Sequence, residues 1–200
     1  MLAAEAFRHM EQLAPDSWRT HQMRAEAYRL RNDDSQAMDE YQRAAQLKPN
    51  TPELYTELGE LYLKTNRPDE AKASLERALQ LEPSRSRTLY LLGQLYTNGH
   101  DYDKAISYLQ KALRYDANLM EAHAYLGRAY LHAGQPARAV AEIQQVLSID
   151  LYGDLHYLLY KAHSELGETD LARAALNRSS ELRKNSVARD RDKLDRWMKN

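Results

Sequence analysis

Small and apolar residues recur along this chain with a period of 34 residues. Two series show the period most clearly: Tyr28, Tyr62, Tyr96 and Tyr130, and Ala37, Ala71, Ala105 and Ala139. A constant period of this length indicates one supersecondary unit that is copied along the chain, each copy burying its apolar face on its neighbours. The pattern therefore predicts stacked repeats rather than one central core.

Each period predicts a pair of helices joined by a tight turn. In the first period Ala25 and Tyr28 fall on one helix, and Ala37 and Tyr41 fall on the next. Glycine recurs at Gly59, Gly93 and Gly127, where we expect two helices to cross closely. The predicted turns hold Asn32, Asn66, His100, Gly134 and Gly167. Four of these five are Asn or Gly, which tolerate the left-handed conformation that ends a helix.

The register divides the chain into five repeats with an additional segment at each end. The repeats span residues 18–51, 52–85, 86–119, 120–152 and 153–185. Residues 1–17 match the second helix only, which indicates an N-terminal half repeat and favours a fragment of a longer protein over a natural cap. Residues 183–200 are predicted to be one more helix, and we assign 186–200 as a basic C-terminal capping helix. A Trp-bearing basic helix could instead contact a membrane surface or a partner.

Small residues alternating with an aromatic eleven positions into each unit resemble the tetratricopeptide repeat family. The resemblance covers nearly the whole chain and implies an all-α, right-handed α-solenoid of antiparallel helix pairs. Three positions depart from the family pattern. His21 and His123 stand where a large apolar residue is usual, and Tyr160 replaces the small residue of the fifth repeat. We expect the tyrosine to loosen or tilt that repeat.

Composition argues against some classes of function but does not identify one. The 28 basic and 29 acidic residues give a net charge of −1, which argues against a nucleic-acid partner. The chain has no cysteine, and no apolar run approaches the roughly 20 residues that span a bilayer. No signal peptide is visible, although a fragment could lack one, so the localisation stays open with the cytoplasm as the default.

The sequence contains no convergent set of catalytic or metal-binding residues. Seven histidines are present, but zinc sites need three or four converging ligands. We interpret the histidines as core or interface residues and expect no metal and no cofactor. Since no nucleophile is paired with a base, we also expect no enzymatic activity.

The resemblance implies that the first helix of each repeat lines a concave groove that binds a peptide or protein. The candidate groove residues are Glu53, Glu57, Glu60, Arg87, Tyr90, Gln94, Tyr125, Arg128, Tyr157 and Lys161. Tyr90, Tyr125 and Tyr157 are not required by the core pattern, so they either anchor a ligand or pack between helices. The glutamate row is expected to favour basic ligand residues.

Two alternatives to this groove scaffold remain. The N-terminal half repeat could pack on a second copy of the chain through Phe7, Met10 and Leu13, giving a self-assembly module. The chain could also be the regulatory segment of a larger protein. A clamp for chaperone tails is absent, because Gln22 and Glu26 occupy the positions at which that subgroup carries lysine and asparagine.

Overall fold

The computed structural model describes residues 13–198, apart from the side chains of 192–197. Within this range the chain is all-α. Its helices are α1 (Trp18–Leu30), α2 (Asp34–Leu47), α3 (Pro52–Lys64), α4 (Pro68–Leu81), α5 (Ser86–Asn98), α6 (Tyr102–Tyr115), α7 (Met120–His132), α8 (Pro136–Gln144), α9 (Asp154–Glu165) and α10 (Thr169–Met198). A short 3-10 helix, Leu147–Ile149, precedes α9. No helix in the described part of the chain is both long and apolar enough to cross a membrane.

The chain divides into two compact units, one ending at Leu95 and the other beginning at Tyr96, with the boundary inside α5. In the N-terminal unit α1 packs on α2, and α3 packs on α4. In the C-terminal unit α7 packs on α8, and α9 packs on α10. Antiparallel helix pairs are therefore the building block of both units.

The tight turns within the pairs have the left-handed backbone that the sequence predicted. Asn32 and Asn66 both have φ of 57°, and Gly134 and Gly167 have φ of 70° and 76°. His100, the residue that did not fit the pattern, adopts the same conformation with φ of 62°. Histidine is, with asparagine and aspartate, among the non-glycine residues that adopt this region most often, and the turn predicted at His100 is present.

Local signals also fix the start of each second helix. Asp33 and Asp101 accept hydrogen bonds from the backbone N–H groups of Gln36 and Lys104, at 3.2 and 3.3 Å. These contacts cap α2 and α6, as short polar side chains do at helix N-termini. Pro68 and Pro136 occupy the first positions of α4 and α8, where no N–H donor is needed.

The two helices of a repeat cross closely because small residues line the crossing. A Cβ atom built on Gly59 would lie 2.5 Å from Cγ of Leu75, and one on Gly127 would lie 2.5 Å from Cγ1 of Ile143. The predicted alanine series on the second helices is also fully buried. A larger side chain at either glycine would force the helices apart, since protein interiors have no spare volume.

The fifth repeat has a large residue at this position. Tyr160 stands at the glycine position, and Leu176 is 37% exposed, whereas its counterparts Leu75 and Ile143 are fully buried. The exposure of Leu176 is consistent with the looser packing expected there. A different close approach appears at the start of α9, where Ser179 donates a 2.7 Å hydrogen bond to the Gly153 carbonyl.

The C-terminal region differs from the prediction of a separate helix beginning at 183. Residues Thr169–Met198 form one continuous helix of 30 residues, because no proline or glycine interrupts α10. Its second half contacts the loop before α9, where Arg189 donates to the Leu151 carbonyl at 2.9 Å. The predicted N-terminal contact residues Phe7 and Met10 lie outside the described residues, and so does the side chain of Trp197.

We expect Gly59→Ala to destabilise the chain by about 1–3 kcal/mol, because its Cβ would overlap the buried Leu75 side chain. This loss should exceed the roughly 1 kcal/mol that alanine gains over glycine in helix propensity. Urea unfolding followed by circular dichroism measures both. Gly59→Ala with Leu75→Ala should lose less than the sum of the single changes. A Gly59→Ala variant more stable than the parent would contradict the close-crossing interpretation.

Candidate functional site

The ten predicted groove residues all lie on first helices and are half-buried or exposed, but they fall into two separate sets. Glu53, Glu57 and Glu60 on α3 and Arg87, Tyr90 and Gln94 on α5 belong to the N-terminal unit. Tyr125 and Arg128 on α7 and Tyr157 and Lys161 on α9 belong to the C-terminal unit. The predicted residues therefore form one set in each unit.

In the N-terminal unit the glutamates of α3 are already paired with arginines. Arg29 on α1 contacts Glu57 directly and Glu60 at 3.1 Å. On the other side of α3, Arg87 reaches Glu60 at 2.7 Å. Arg85 makes a 2.7 Å ion pair with Glu53. The row of glutamates is therefore neutralised within the chain instead of presenting bare negative charge.

Burial gives Glu57 an unusual electrostatic environment. Desolvation raises the pKa of the Glu57 carboxyl, Arg29 opposes that rise, and the negative charge of Glu60 adds to it. Below this cluster lies Tyr41, which is almost fully buried. Burial has the largest effect and the charge of Glu57 the next largest, and together they raise the pKa of Tyr41 to about 12. Arg29 is thus the positive charge on which this half-buried cluster depends.

A cavity of about 380 Å³ opens beside the Arg29–Glu60 ion pair. Buried Leu61 and Leu91 provide apolar lining, and Tyr90 and Gln94 add polar atoms. The lining also includes the charged side chains of Arg29, Glu60 and Lys64, so the cavity combines apolar and polar groups, as ligand sites do. Because every one of these residues belongs to the N-terminal unit, this cavity is complete without the other unit.

In the C-terminal unit the predicted tyrosines carry cations on their rings. The Arg128 guanidinium lies 5.2 Å from the ring centre of Tyr125, and the Lys161 ammonium lies 5.9 Å from that of Tyr157. Arg183 of α10 approaches the same Tyr157 ring at 5.3 Å. These are cation–π distances. They hold the tyrosines and the cations together on one surface.

Several residues of these sites were not among the candidate groove residues. Arg29 and Arg85 neutralise the glutamates, and Arg183 comes from a helix outside the first-helix register. The 34-residue period identifies residues with equivalent positions, but it contains no information about ion pairs between different positions. For Arg29 the register predicts a place on the first helix of the first repeat, but it does not predict the ion pairs with Glu57 and Glu60.

The histidines form pairs with carboxylates, which the sequence analysis did not anticipate. His21 contacts Glu40 at 2.5 Å and His123 contacts Glu142 at 2.6 Å, with the same separation of 19 residues. Two further pairs join His156 to Asp150 at 2.6 Å and His163 to Glu168 at 2.5 Å. Among the described residues no three potential ligands converge on one point. The pairs satisfy polar groups at positions where other repeats carry apolar residues.

The Asp150 pair also fixes the start of α9. Burial raises the pKa of the Asp150 carboxyl, but the His156 ring and the backbone N–H groups of His156 and Leu155 outweigh burial and lower it overall. A carboxylate that accepts several hydrogen bonds is stabilised in its charged form. Asp150 therefore acts as a charged anchor for the first turn of α9.

Three family models match the chain, and they identify its family. A tetratricopeptide repeat model matches residues 56–118, a TPR repeat model matches 25–66, and a second tetratricopeptide repeat model matches 98–151. Together they cover residues 25–151 without a gap. The chain belongs to the tetratricopeptide repeat family. No curated protein matches it in sequence.

Several solved structures share its fold. The crystal structure of MamA is 22% identical with a TM-score of 0.70, and the alignment covers 82% of this chain and 96% of MamA. YrrB, described as a TPR protein with an unusual peptide-binding site, is 21% identical with a TM-score of 0.72 over 92% of this chain and 95% of YrrB.

A third structure is the APC/C hetero-tetramer Cut9–Hcn1, with 21% identity and a TM-score of 0.76. The alignment covers 90% of this chain and 38% of the matched chain. Likeness at such identities shows the fold alone, and the all-α tetratricopeptide fold is confirmed.

Replacing His21 with leucine should destabilise the chain by about 2 kcal/mol, because buried Glu40 loses its 2.5 Å partner. Arg43, at 3.1 Å from Glu40, is too exposed to compensate fully. The double variant His21→Leu/Glu40→Leu should recover most of the loss, since it leaves no unpaired buried charge. Urea unfolding at pH 7.5 measures the three variants. Equal stability of the single variant and the parent would show that the pair has no structural role.

Arg29→Gln should destabilise the chain more at pH 7.5 than at pH 5. The raised pKa of Glu57 lies above its usual value of 4.5, so the folded state takes up the proton more readily than the unfolded state. Stability therefore falls as pH rises from about 4.5 through the folded pKa. Without Arg29 this fall becomes steeper and extends to higher pH.

Thermal unfolding at both pH values tests this expectation. The matched control is Arg31→Gln, which removes the same charge from an exposed site that has no carboxylate partner in the described part of the chain. Its effect should be small and independent of pH. A similar loss at both pH values for Arg29→Gln would mean that Glu57 stays ionised throughout.

Proposed function

We propose that this chain is a non-catalytic scaffold that binds a protein or peptide segment along the surface of its first helices. The observation that carries the proposal is the set of aromatic and polar side chains on α3, α5, α7 and α9 that the helix crossings do not use. Tetratricopeptide repeats are generally non-catalytic scaffolds, which favours binding over catalysis. The structural similarity of this chain to YrrB, described as a TPR protein with an unusual peptide-binding site, supports the same class of function.

Two features favour a segment with at least one apolar anchor. The cavity beside Tyr90 has buried leucines in its lining, and the half-buried tyrosines offer large contact areas with few rotatable bonds. Burying one leucine-sized side chain contributes about 1.5–3 kcal/mol. Such anchors commonly dominate the affinity of a protein interface.

The ion pairs revise the expected preference of the glutamate row. A basic ligand residue would have to displace Arg29, Arg85 or Arg87 from Glu53, Glu57 and Glu60. Exchanging one ion pair for another gains little free energy at a half-exposed site. The proposed binding surface of the N-terminal unit therefore selects its ligand by shape and apolar contact rather than by negative charge.

Affinity capture from source-cell lysate tests the proposal, comparing the parent chain with Tyr90→Ala/Tyr125→Ala. Each captured protein is then purified, and its affinity for the parent and the variant is measured by isothermal titration calorimetry. We expect the double variant to bind at least tenfold more weakly, because each interface tyrosine contributes more than about 1 kcal/mol.

The matched control is Tyr115→Ala/Tyr152→Ala, which removes two tyrosines that are 60% and 55% exposed and lie off the first helices. This control should bind like the parent. If both double variants kept full affinity, the binding surface would lie elsewhere on the chain. Recovery of the chain alone, with a mass that rises with concentration, would favour the self-assembly alternative.

A further inference from the structure

One position of the repeat changes its charge along the chain. The ninth residues of the five predicted repeats are, in order, Glu26, Glu60, Gln94, Arg128 and Lys161. The two cations are 33 residues apart, which is the spacing of the last two predicted repeats. They therefore occupy equivalent places on α7 and α9, two helices that contact each other in the C-terminal unit. The charge on this surface is positive where the preceding repeats carry glutamate or glutamine.

Arg128 and Lys161 differ from the arginines of the N-terminal unit in their partners. Arg29 and Arg87 are bound to Glu57 and Glu60. Within the described part of the chain, neither Arg128 nor Lys161 has a carboxylate within ion-pair distance, and both contact tyrosine rings instead. A cation on an aromatic face keeps N–H donors that can reach a ligand carboxylate.

The positive charges of this surface act on the imidazole of His132. His132 lies one turn beyond Arg128 on α7, and its ring stacks on Tyr102 with centroids 5.2 Å apart. Partial burial comes first in lowering the pKa of His132, followed by the charges of Lys161 and Arg128 and then of His100. Glu165 opposes them with a weaker effect. Cations on both α7 and α9 therefore act on His132.

Acidic residues border these cations at both ends. Glu121 and Asp154 stand in the first turns of α7 and α9, two turns before Arg128 and Lys161, and Asp154 contacts Arg183 at 3.4 Å. Glu165 ends α9 one turn beyond Lys161. Between them Arg128, His132 and Lys161 form a basic surface on the C-terminal halves of the two helices.

The spacing of packed helices limits what can contact both cations. Axes of packed helices are about 8–10 Å apart. A peptide in the polyproline II conformation rises about 3.1 Å per residue and turns once every three residues, so two side chains three residues apart lie on one face and span a similar distance. Two carboxylates at that spacing can each approach one cation.

We propose that the basic surface of Arg128, His132 and Lys161 binds an acidic peptide segment whose two carboxylate side chains are three residues apart. The inference rests on the proposed function and specifies the ligand chemistry at its C-terminal part. A protein ligand is favoured over a nucleic acid because the chain has a net charge of −1 and the surface has too few cations for a polyanion.

Fluorescence anisotropy with labelled nine-residue peptides tests the inference. The probe is a Gly/Ser-rich peptide with two glutamates three residues apart. Its matched forms carry two glutamines, two lysines or two adjacent glutamates. A labelled thymidine decanucleotide tests a nucleic-acid ligand. The protein variants are Arg128→Gln, Lys161→Gln and, as a control of equal charge, Arg114→Gln on α6, which is exposed.

We expect the spaced glutamate peptide to bind more tightly than the glutamine, lysine and adjacent-glutamate peptides. Arg128→Gln and Lys161→Gln should each weaken it about tenfold, the usual effect of losing one charged hydrogen bond. Arg114→Gln should change the affinity less than twofold. Arg128→Glu/Lys161→Glu should transfer the preference to the lysine peptide, with circular dichroism confirming that the variant folds.

Equal binding of the glutamate and glutamine peptides, or no saturable binding of either, would overturn the inference. An equal loss from Arg114→Gln would replace it with diffuse attraction, and tighter binding of the oligonucleotide would assign the surface to nucleic acid. None of these results decides the groove proposal, which is tested by Tyr90→Ala/Tyr125→Ala, a variant that removes no charge. Failure of the groove proposal in the capture experiment is therefore distinguishable from failure of the acidic-ligand inference.

Discussion

The close crossing of two helices at a small residue is the constraint on which the rest of this structure depends. Gly59 and Gly127 leave room for Leu75 and Ile143, and the fully buried alanines do the same on the second helices. Once the helices of a pair are fixed at this distance, the remaining positions of the first helix are free to vary. The family's capacity to change ligands without changing fold follows from that division of roles.

The two compact units are built from the same helix pairs but differ in how their surface charges are paired. The N-terminal unit neutralises its glutamates with Arg29, Arg85 and Arg87 beside a cavity that includes buried leucines, whereas Arg128 and Lys161 in the C-terminal unit face aromatic rings. Intramolecular ion pairs at half-exposed sites add little stability. Their larger effect is on specificity, because a charge that is already paired gives a ligand little reason to bind there.

The fold was predictable from the sequence because its determinants are local and repeated. Helix-forming composition, proline at the first positions of α4 and α8, and Asn or Gly at the turns each act within a few residues. The difference at the C-terminus has an equally physical cause, because no residue in α10 terminates a helix and it continues past 183.

The candidate site was predictable only in part. The period by itself determined which side chains stand on the first helices, and hence the ten candidate residues. The arginines that pair with the three glutamates are 27 to 32 residues away from them, and Arg183 reaches Tyr157 from α10. No local rule links such positions. The pairing of Glu57 with Arg29, the His21–Glu40 contact and the lack of a carboxylate partner for Arg128 among the described residues were decided by tertiary structure, because side-chain electrostatics depends on distances that only packing sets.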